Sequence, residues 1–219
     1  MKAGDVYVLN APYNGGTHLP DVTVIPPVFD QSGETILFYV GSRGHHADVG
    51  GIAPGSMTPK ATTIEDEGIV LDNLHLVKAG RFLDTETRSI LSGGKHPCRN
   101  VDQNIADLKA QIAANEKGVA ELLAMVSSFG LDVVYAYMGH VRDYAEECVR
   151  RVIATLDDGE AEVYFDQGCK IKVKLTIDKK TRSATLDFTG TSDQQSDNFN
   201  APEPVTRAAV LYTFRCMVD

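Results

Sequence analysis

The hydrophobic period of the sequence changes near residue 100, and this change limits the folds open to the chain. Before that point, short apolar runs rich in β-branched and aromatic residues alternate with turns that contain Gly and Pro, as in β-strands. From Val101 to Phe129, and again from Val134 to Ile153, apolar residues recur at the spacings of a helix. Strand-type runs return after residue 158. This order predicts an α+β fold with mixed β-sheet regions.

The helical stretch is predicted to form an antiparallel helical hairpin inserted between two β regions. Asn100 and Gln103 are spaced as a capping pair, Gly130 is a stop for the first helix, and Asp158-Gly159 ends the second. We therefore divide the chain into a β-rich segment at 1–98, a helical hairpin at 99–157, and β-strands followed by a truncated helix at 158–219. Strands are expected at 4–10, 21–25, 35–40, 69–77, 161–165, 171–177 and 184–188, and a final helix at 205–218.

The two ends of the sequence are typical of a segment of a larger subunit. Val6 begins a strand close to the first residue. The last apolar run, 205–218, reaches almost to the final residue with no Gly, Pro or capping residue to end it. We therefore expect the chain to be a fragment of a longer protein.

Charge and cysteine content exclude several functional classes. The chain has 30 acidic and 21 basic residues and a net charge of −9, which disfavours nucleic acid as a partner. No apolar run approaches the roughly 18 residues that cross a bilayer, and no secretory signal is recognisable. The four cysteines are scattered and lack a C-x-x-C pair. These features predict a cytoplasmic protein with reduced thiols and no membrane partner.

The first candidate site residues lie in a loop rich in Gly and Pro, Asn14-Gly15-Gly16-Thr17-His18-Leu19-Pro20-Asp21. Glycines allow the backbone to turn tightly, and Pro20 fixes one torsion before Asp21. His18 and Asp21 would face opposite ways on a regular strand, but in a loop they can converge. Loop histidines that only cap turns are the alternative interpretation.

A second group, Arg43-Gly44-His45-His46-Ala47-Asp48, follows the third strand. If 21–28 and 35–42 form a hairpin around the turn at 31–34, its open ends bring this group to His18 and Asp21. Two imidazoles and a carboxylate suit zinc, manganese or iron. Adjacent residues of a strand point to opposite sides, so only one of His45 and His46 would bind the metal.

Further acidic residues are candidates for catalysis. Asp48 could orient a metal-binding imidazole, or it could simply stabilise a turn. Glu67 belongs to the run Glu65-Asp66-Glu67, in which mutual repulsion would favour a cation or a base with a raised pKa. A solvated loop is the simpler interpretation of this run. The chain has no Gly-rich loop followed by a helix, and so no recognisable ATP site.

These motifs, in this order, resemble the hydantoinase B family, which includes N-methylhydantoinase B subunits and the C-terminal half of 5-oxoprolinases. The resemblance covers nearly the whole chain. It rests on the segments 4–6 and 10–21, 43–51, 54–57, 63–68, 107–115, 187–192 and 200–202. Alpha subunits of acetone carboxylases are related to this family.

The resemblance implies an amidohydrolase that opens cyclic amides such as hydantoins or 5-oxoproline. It implies a divalent metal held by His18, Asp21 and the first histidine of the pair, His45, with Thr17, Arg43 and His46 beside the metal or the substrate. ATP would be used by a hydantoinase A-type ATPase subunit or domain, thought to phosphorylate the amide oxygen, and the enzyme is expected to be oligomeric.

Two departures and two alternatives accompany this resemblance. Ala11 stands where family members usually have Asp, which removes a carboxylate near the site. The family's B part also extends beyond both ends of this chain, so the resemblance implies that the fragment is inactive on its own. The parent protein could instead be a ketone carboxylase that uses ATP. The segment could also be a non-catalytic module with a vestigial metal site that docks an ATPase subunit.

Overall fold

The computed structural model describes residues 1–218 and divides into two compact units. The first unit comprises Met1–Ser128 with Ser196–Val205. The second comprises Phe129–Gln195 and the described residues from Thr206 onward. Antiparallel sheets and helices follow one another along the chain. The predicted mixed α+β class is therefore confirmed.

A five-stranded antiparallel sheet forms the centre of the first unit. In chain order its strands are β1 (Val6–Leu9), β2 (Asp21–Ile25), β5 (Ser42–His45), β6 (Leu74–Lys78) and β7 (Arg81–Phe82). Their spatial order is β5-β2-β1-β6-β7. Val22 and Val24 of β2 are fully buried in the core beside Leu76 of β6. Alternation along β2 therefore gives the sheet one apolar face and one face free to carry polar side chains.

The predicted hairpin between 21–28 and 35–42 is present, in two sections. β2 pairs with β5, and beyond Pro26 the short strands β3 (Pro27–Phe29) and β4 (Ile36–Tyr39) form a separate ladder. The Asp30 carboxylate closes the turn, because it accepts hydrogen bonds from the backbone N–H groups of Glu34 and Thr35. The expected loop at 31–34 is confirmed.

Short helices connect the remaining segments of the first unit, and the sequence analysis did not predict them. A 3₁₀ turn spans Pro54–Ser56, α1 spans Ile64–Glu67, and α2 spans Asp84–Leu91. The expected extended segment at 69–77 is a strand only from Leu74 onward.

Both long predicted helices are present. Helix α3 spans Val101–Phe129, and the Asn100 Oδ1 atom accepts a hydrogen bond from the Gln103 backbone N–H at 3.1 Å, as the capping pair predicted. Gly130, with φ of +85°, separates α3 from α4 (Leu131–Thr155). α4 belongs to the second unit and α3, except for its last residue, to the first. Their packing as an antiparallel hairpin, and the three-region division, stay predictions.

Helix α3 binds the sheet through both apolar and amide side chains. Ile105 and Leu108 are buried in the same core as Val22 and Val24. Gln111 donates from Nε2 to the Val22 carbonyl at 2.9 Å, and Asn115 donates from Nδ2 to the Val24 carbonyl at 2.9 Å. Buried carbonyls need a partner, so these amides stabilise one helix position relative to β2.

The second unit is a three-stranded antiparallel sheet packed by α4. Its strands are β8 (Gly159–Tyr164), β9 (Lys170–Asp178) and β10 (Ser183–Asp187), in the order β10-β9-β8. Arg150 of α4 donates to the carbonyls of Thr181 and Arg182 in the turn between β9 and β10. The last helix, α5, spans Glu203–Cys216. The three strands and the final helix predicted for this part are confirmed.

The helices and the cysteines concern the predictions that the chain has no membrane span and that its thiols are reduced. Among residues 1–218, no single helix has the length and apolar content to cross a membrane. α3 and α4 meet that criterion only when counted together as one bent pair, by length and composition alone. All four cysteines are free thiols, and burial raises the pKa of Cys98 to about 11. A raised thiol pKa lowers the reactivity of Cys98 at neutral pH.

We expect Gln111→Ala to reduce the free energy of unfolding by roughly 1–3 kcal/mol, because the variant removes the buried hydrogen bonds of this amide to the Val22 carbonyl and to His46 Nε2. Gln103→Ala, an exposed amide on the same helix, is the matched control and should change stability by less than about 0.5 kcal/mol. Urea denaturation of both variants measures the difference. Equal losses would show that the buried amide does not hold α3 on the sheet.

Candidate metal centre

The register of β2 and β5 places two of the predicted site residues opposite each other. Asp21 pairs with His45, and Thr23 pairs with Arg43 two positions further along the ladder. The His45 Nδ1 atom lies 3.0 Å from Asp21 Oδ1. The expectation that the open ends of the hairpin meet is therefore confirmed by the strand pairing.

His18 completes a cluster at this end of the hairpin. Its Nδ1 atom lies 3.2 Å from Asp21 Oδ2, and its ring centroid is 5.3 Å from that of His45. One donor atom from each of the three residues lies within 4.8 Å of the others. The side chains of His18 and His45 are 40% and 53% exposed and that of Asp21 is 24% exposed, so the cluster is open to solvent on one side.

The loop that carries His18 is held by a buried asparagine. Asn10 is fully buried; its Nδ2 donates to the carbonyls of Leu19 and Ile69, and its Oδ1 accepts from the Leu71 N–H. Leu19, next to His18, is itself fully buried in the core. One side chain therefore fixes the end of the loop against the distant segment 69–71.

Gly16 is required by a close approach of the backbone. Its N–H donates to the Ala11 carbonyl at 2.8 Å. A Cβ atom at this position would lie 2.2 Å from the Asn10 carbonyl oxygen, far inside van der Waals contact. Only glycine fits unless the backbone moves, which gives one of the predicted loop glycines a specific steric reason.

His46 has a different environment from His45. Its Nδ1 lies 3.1 Å from Asn104 Nδ2, and its Nε2 lies 3.1 Å from Gln111 Oε1. Because Gln111 uses its Nε2 to donate to Val22, its Oε1 must accept, which assigns the proton of His46 to Nε2. Both ring nitrogens of His46 are engaged in the core. This placement favours His45 as the ligand and does not support the expected role of His46 beside the metal or substrate.

Asp48 forms hydrogen bonds that hold its own loop. Its carboxylate accepts from the backbone N–H groups of Gly50, Gly55 and Arg99, and Arg99 Nη1 donates to it at 2.7 Å. Burial raises the pKa of Asp48, but these hydrogen bonds outweigh burial and leave the pKa below its ordinary value. The contacts are those of a loop-stabilising residue, and a catalytic role for Asp48 stays a prediction.

The acidic run at 65–67 forms the helix α1 instead of the expected solvated loop. Thr63 and Asp66 cap each other reciprocally at its start, which stabilises a helical turn. The pKa of Glu67 is raised, as anticipated for a base. The cause is burial of the carboxyl group, not repulsion from its neighbours. Its catalytic role also stays a prediction.

Two other predicted residues lie beside the cluster. Arg43 donates from Nε to Thr23 Oγ1 at 2.8 Å and from Nη2 to the Gly15 carbonyl at 3.1 Å. Thr17 Oγ1 lies 3.5 Å from Asp21 Oδ2. Arg43 therefore links the His18 loop to the two strands, and Thr17 faces the carboxylate between the two imidazoles.

The sequence analysis missed the amide side chains beneath the site. Asn104, Gln111 and Asn115 are buried on the face of α3 that also carries Ile105 and Leu108. Their spacing of seven and four residues matches the helical period, so three amides on an apolar stripe were a visible signal. Buried amides on such a face need partners, which here are β2 and His46.

Comparison with known proteins finds one family that matches the whole chain. Residues 1–219 match the family described as Hydantoinase B/oxoprolinase. A 5-oxoprolinase of Dictyostelium discoideum is 43% identical over 226 residues, which cover 99% of this chain and 17% of that relative. This chain therefore spans less than a fifth of the length of that relative.

Two solved structures have a similar fold. The ATP-dependent caprolactamase of Pseudomonas jessenii superposes with a TM-score of 0.83 at 24% identity, over 95% of this chain and 36% of that protein. The nucleotide-free structure of acetone carboxylase, solved in work on ATP-dependent acetone carboxylation, superposes with a TM-score of 0.76 at 18% identity, over 90% and 28%. At these identities the likeness concerns the fold.

We expect Gly16→Ala to lower the free energy of unfolding by roughly 1–3 kcal/mol, since the added methyl group overlaps the Asn10 carbonyl. Gly41→Ala is the matched control in the same unit, because a Cβ atom there meets its nearest neighbour, Ile25 Cγ1, at an ordinary 3.8 Å. Chemical denaturation compares the two variants. If Gly16→Ala is as stable as Gly41→Ala, the close approach does not constrain the loop.

Asp48 should make stability depend on pH in a defined direction. Its pKa is lowered in the folded protein, so its contribution is present above the unfolded value near 3.8 and is lost as the pH falls through the folded value. We expect Asp48→Asn to cost roughly 1–3 kcal/mol at pH 7. The difference from the parent chain should shrink below about pH 4. A difference in unfolding free energy that stays constant with pH would contradict this assignment.

Proposed function

Because this chain belongs to the hydantoinase B/oxoprolinase family, we propose that it is the metal-holding part of an enzyme that hydrolyses cyclic amides with the use of ATP. The observation that carries this proposal is the convergence of His18, Asp21 and His45 at the paired ends of β2 and β5. The substrate would be a lactam or hydantoin whose ring is opened.

The donor set fits a divalent transition metal. Two imidazole nitrogens and a carboxylate oxygen are ligands that zinc, manganese and iron accept, and three protein ligands leave coordination positions open. The partial exposure of all three side chains keeps the open side accessible. A bound metal would act there as a Lewis acid that polarises a carbonyl group or lowers the pKa of water.

The protein residues hold this site before any ligand arrives. Asp21 contacts both imidazoles, so its carboxylate fixes the orientation of His18 and His45 relative to each other. Asn10 fixes the loop below His18, and the β2–β5 pairing fixes His45. Such preorganisation avoids the cost of ordering ligands when the metal binds.

ATP is assigned to another polypeptide or domain. The chain has no Gly-rich loop leading into a helix that could hold phosphates. The two similar structures belong to a caprolactamase named as ATP-dependent and to an acetone carboxylase studied for ATP-dependent carboxylation. We therefore assign ATP use to a hydantoinase A-type ATPase partner in a cytoplasmic, oligomeric complex, without which this segment is inactive.

A second candidate keeps the metal site and changes the reaction. The fold likeness to acetone carboxylase favours an ATP-dependent carboxylation of a ketone. Product analysis of the complete enzyme separates the two: the hydrolase yields a ring-opened amino acid from a lactam, whereas the carboxylase yields a keto acid from a ketone and bicarbonate.

The metal assignment predicts the metal content of purified protein. Elemental analysis after purification without chelator should find about one zinc, manganese or iron per chain. His18→Ala and His45→Ala should each lose the metal, because two ligands are insufficient to retain it. His75→Ala is the matched control, since His75 lies in the same sheet but pairs with Asp5.

Two results would contradict the metal assignment. Metal that persists in both His18→Ala and His45→Ala would place the ion elsewhere. A chain that stays without metal after supplementation with all three ions and that binds an ATPase subunit tightly would favour the non-catalytic docking module.

A further inference from the structure

A guanidinium group with no acidic partner among residues 1–218 lies beside the candidate metal centre. Arg43 and His45 occupy alternate positions of β5, so their side chains leave the same face of the sheet, about 7 Å apart along the strand. The residues opposite them on β2, Thr23 and Asp21, share that face. Arg43 therefore adjoins the region that a ligand of the centre would occupy.

The guanidinium is fixed by uncharged partners. Its Nε donates to Thr23 Oγ1, and its Nη2 donates to the Gly15 carbonyl. Among residues 1–218, Nη1 has no hydrogen-bond partner and no carboxylate pairs with Arg43. The side chain is exposed and permanently charged. A mobile surface arginine loses side-chain conformational entropy when it binds a ligand. For Arg43 this cost is smaller, because two hydrogen bonds already order its side chain.

We propose that Arg43 is a specificity-determining residue that binds an oxyanion of the ligand next to the metal centre. A guanidinium matches the planar fork of a carboxylate and also binds phosphoryl oxygens. In a protein of net charge −9, a cation that has no counter-charge in the described part of the chain offsets the repulsion that an anionic ligand would meet. This inference rests on the function proposed above, since it assigns a ligand contact at that same site.

A purely structural role for Arg43 makes a different prediction. Its bonds to Thr23 and Gly15 tie the His18 loop to β2, so loss of the side chain could weaken the loop and the metal site alone. Such a role would change binding of charged and uncharged ligands equally. Oxyanion recognition changes only the binding of the charged ligands.

The test compares three probes on the metal-supplemented chain by isothermal titration calorimetry. They are 5-oxoproline, which carries a carboxylate, 2-pyrrolidinone, the same lactam ring without it, and inorganic phosphate. Arg43→Gln should weaken the affinity for 5-oxoproline about tenfold or more, which is the effect expected for the loss of a charged hydrogen bond. 2-Pyrrolidinone should bind both proteins alike. Arg81→Gln removes the same charge from an exposed arginine elsewhere in the sheet and should change nothing.

The outcomes separate the source of the oxyanion. An Arg43-dependent loss for phosphate but not for 5-oxoproline would keep the assignment and identify a phosphoryl group as the oxyanion. Thr23→Val keeps the charge and removes only the Nε acceptor, and it should weaken the same anion by less than Arg43→Gln does. If neither anion depends on Arg43 in these variants, the proposal is wrong.

Metal content measured on the same samples distinguishes failure of this inference from failure of the proposed function. Arg43-dependent anion binding without metal would retain the role of Arg43 and remove the metal centre. If the chain binds metal but its anion affinities do not depend on Arg43, the metal centre is retained and the role proposed for Arg43 is wrong.

Discussion

The antiparallel pairing of β2 with β5 is the constraint on which the rest of the site depends. It places Asp21 opposite His45 and Thr23 opposite Arg43 on one face, while Val22 and Val24 enter the core on the other. A slip of one residue in this register would move Asp21 to the buried face and a valine to the site. Because a charged group in the core is costly, burial of the valines favours the register that builds the cluster.

Helix α3 strengthens the same register from the buried side. Gln111 and Asn115 donate to the carbonyls of Val22 and Val24, and Gln111 also accepts from His46. Adjacent histidines thereby acquire separate roles. His46 links the end of β5 to the helix, and this leaves His45 on the open face beside Asp21. A single polar network thus connects the core to the candidate metal centre.

Much of this arrangement could be predicted from sequence because it is local. Apolar spacing located most of the strands and the two long helices, although it missed β5 and β7. The predicted hairpin turn at 31–34 made it possible to infer that His18, Asp21 and His45 meet. The choice between His45 and His46 could not be made from spacing, because only the amide partners of His46 decide it. Those partners lie 58 and 65 residues away in sequence, and no local pattern specifies such pairs. A turn-stabilising role was one of two interpretations of Asp48, and its partner Arg99, 51 residues away, could not be predicted from spacing for the same reason.

The most direct test of the metal centre is anomalous diffraction at the absorption edge of the metal bound to crystals of the protein. The account predicts one strong peak at about 2.0–2.2 Å from a nitrogen of His18, a nitrogen of His45 and an oxygen of Asp21. A peak held by His46, by Asp48 or by residues outside the β2–β5 hairpin would contradict the account.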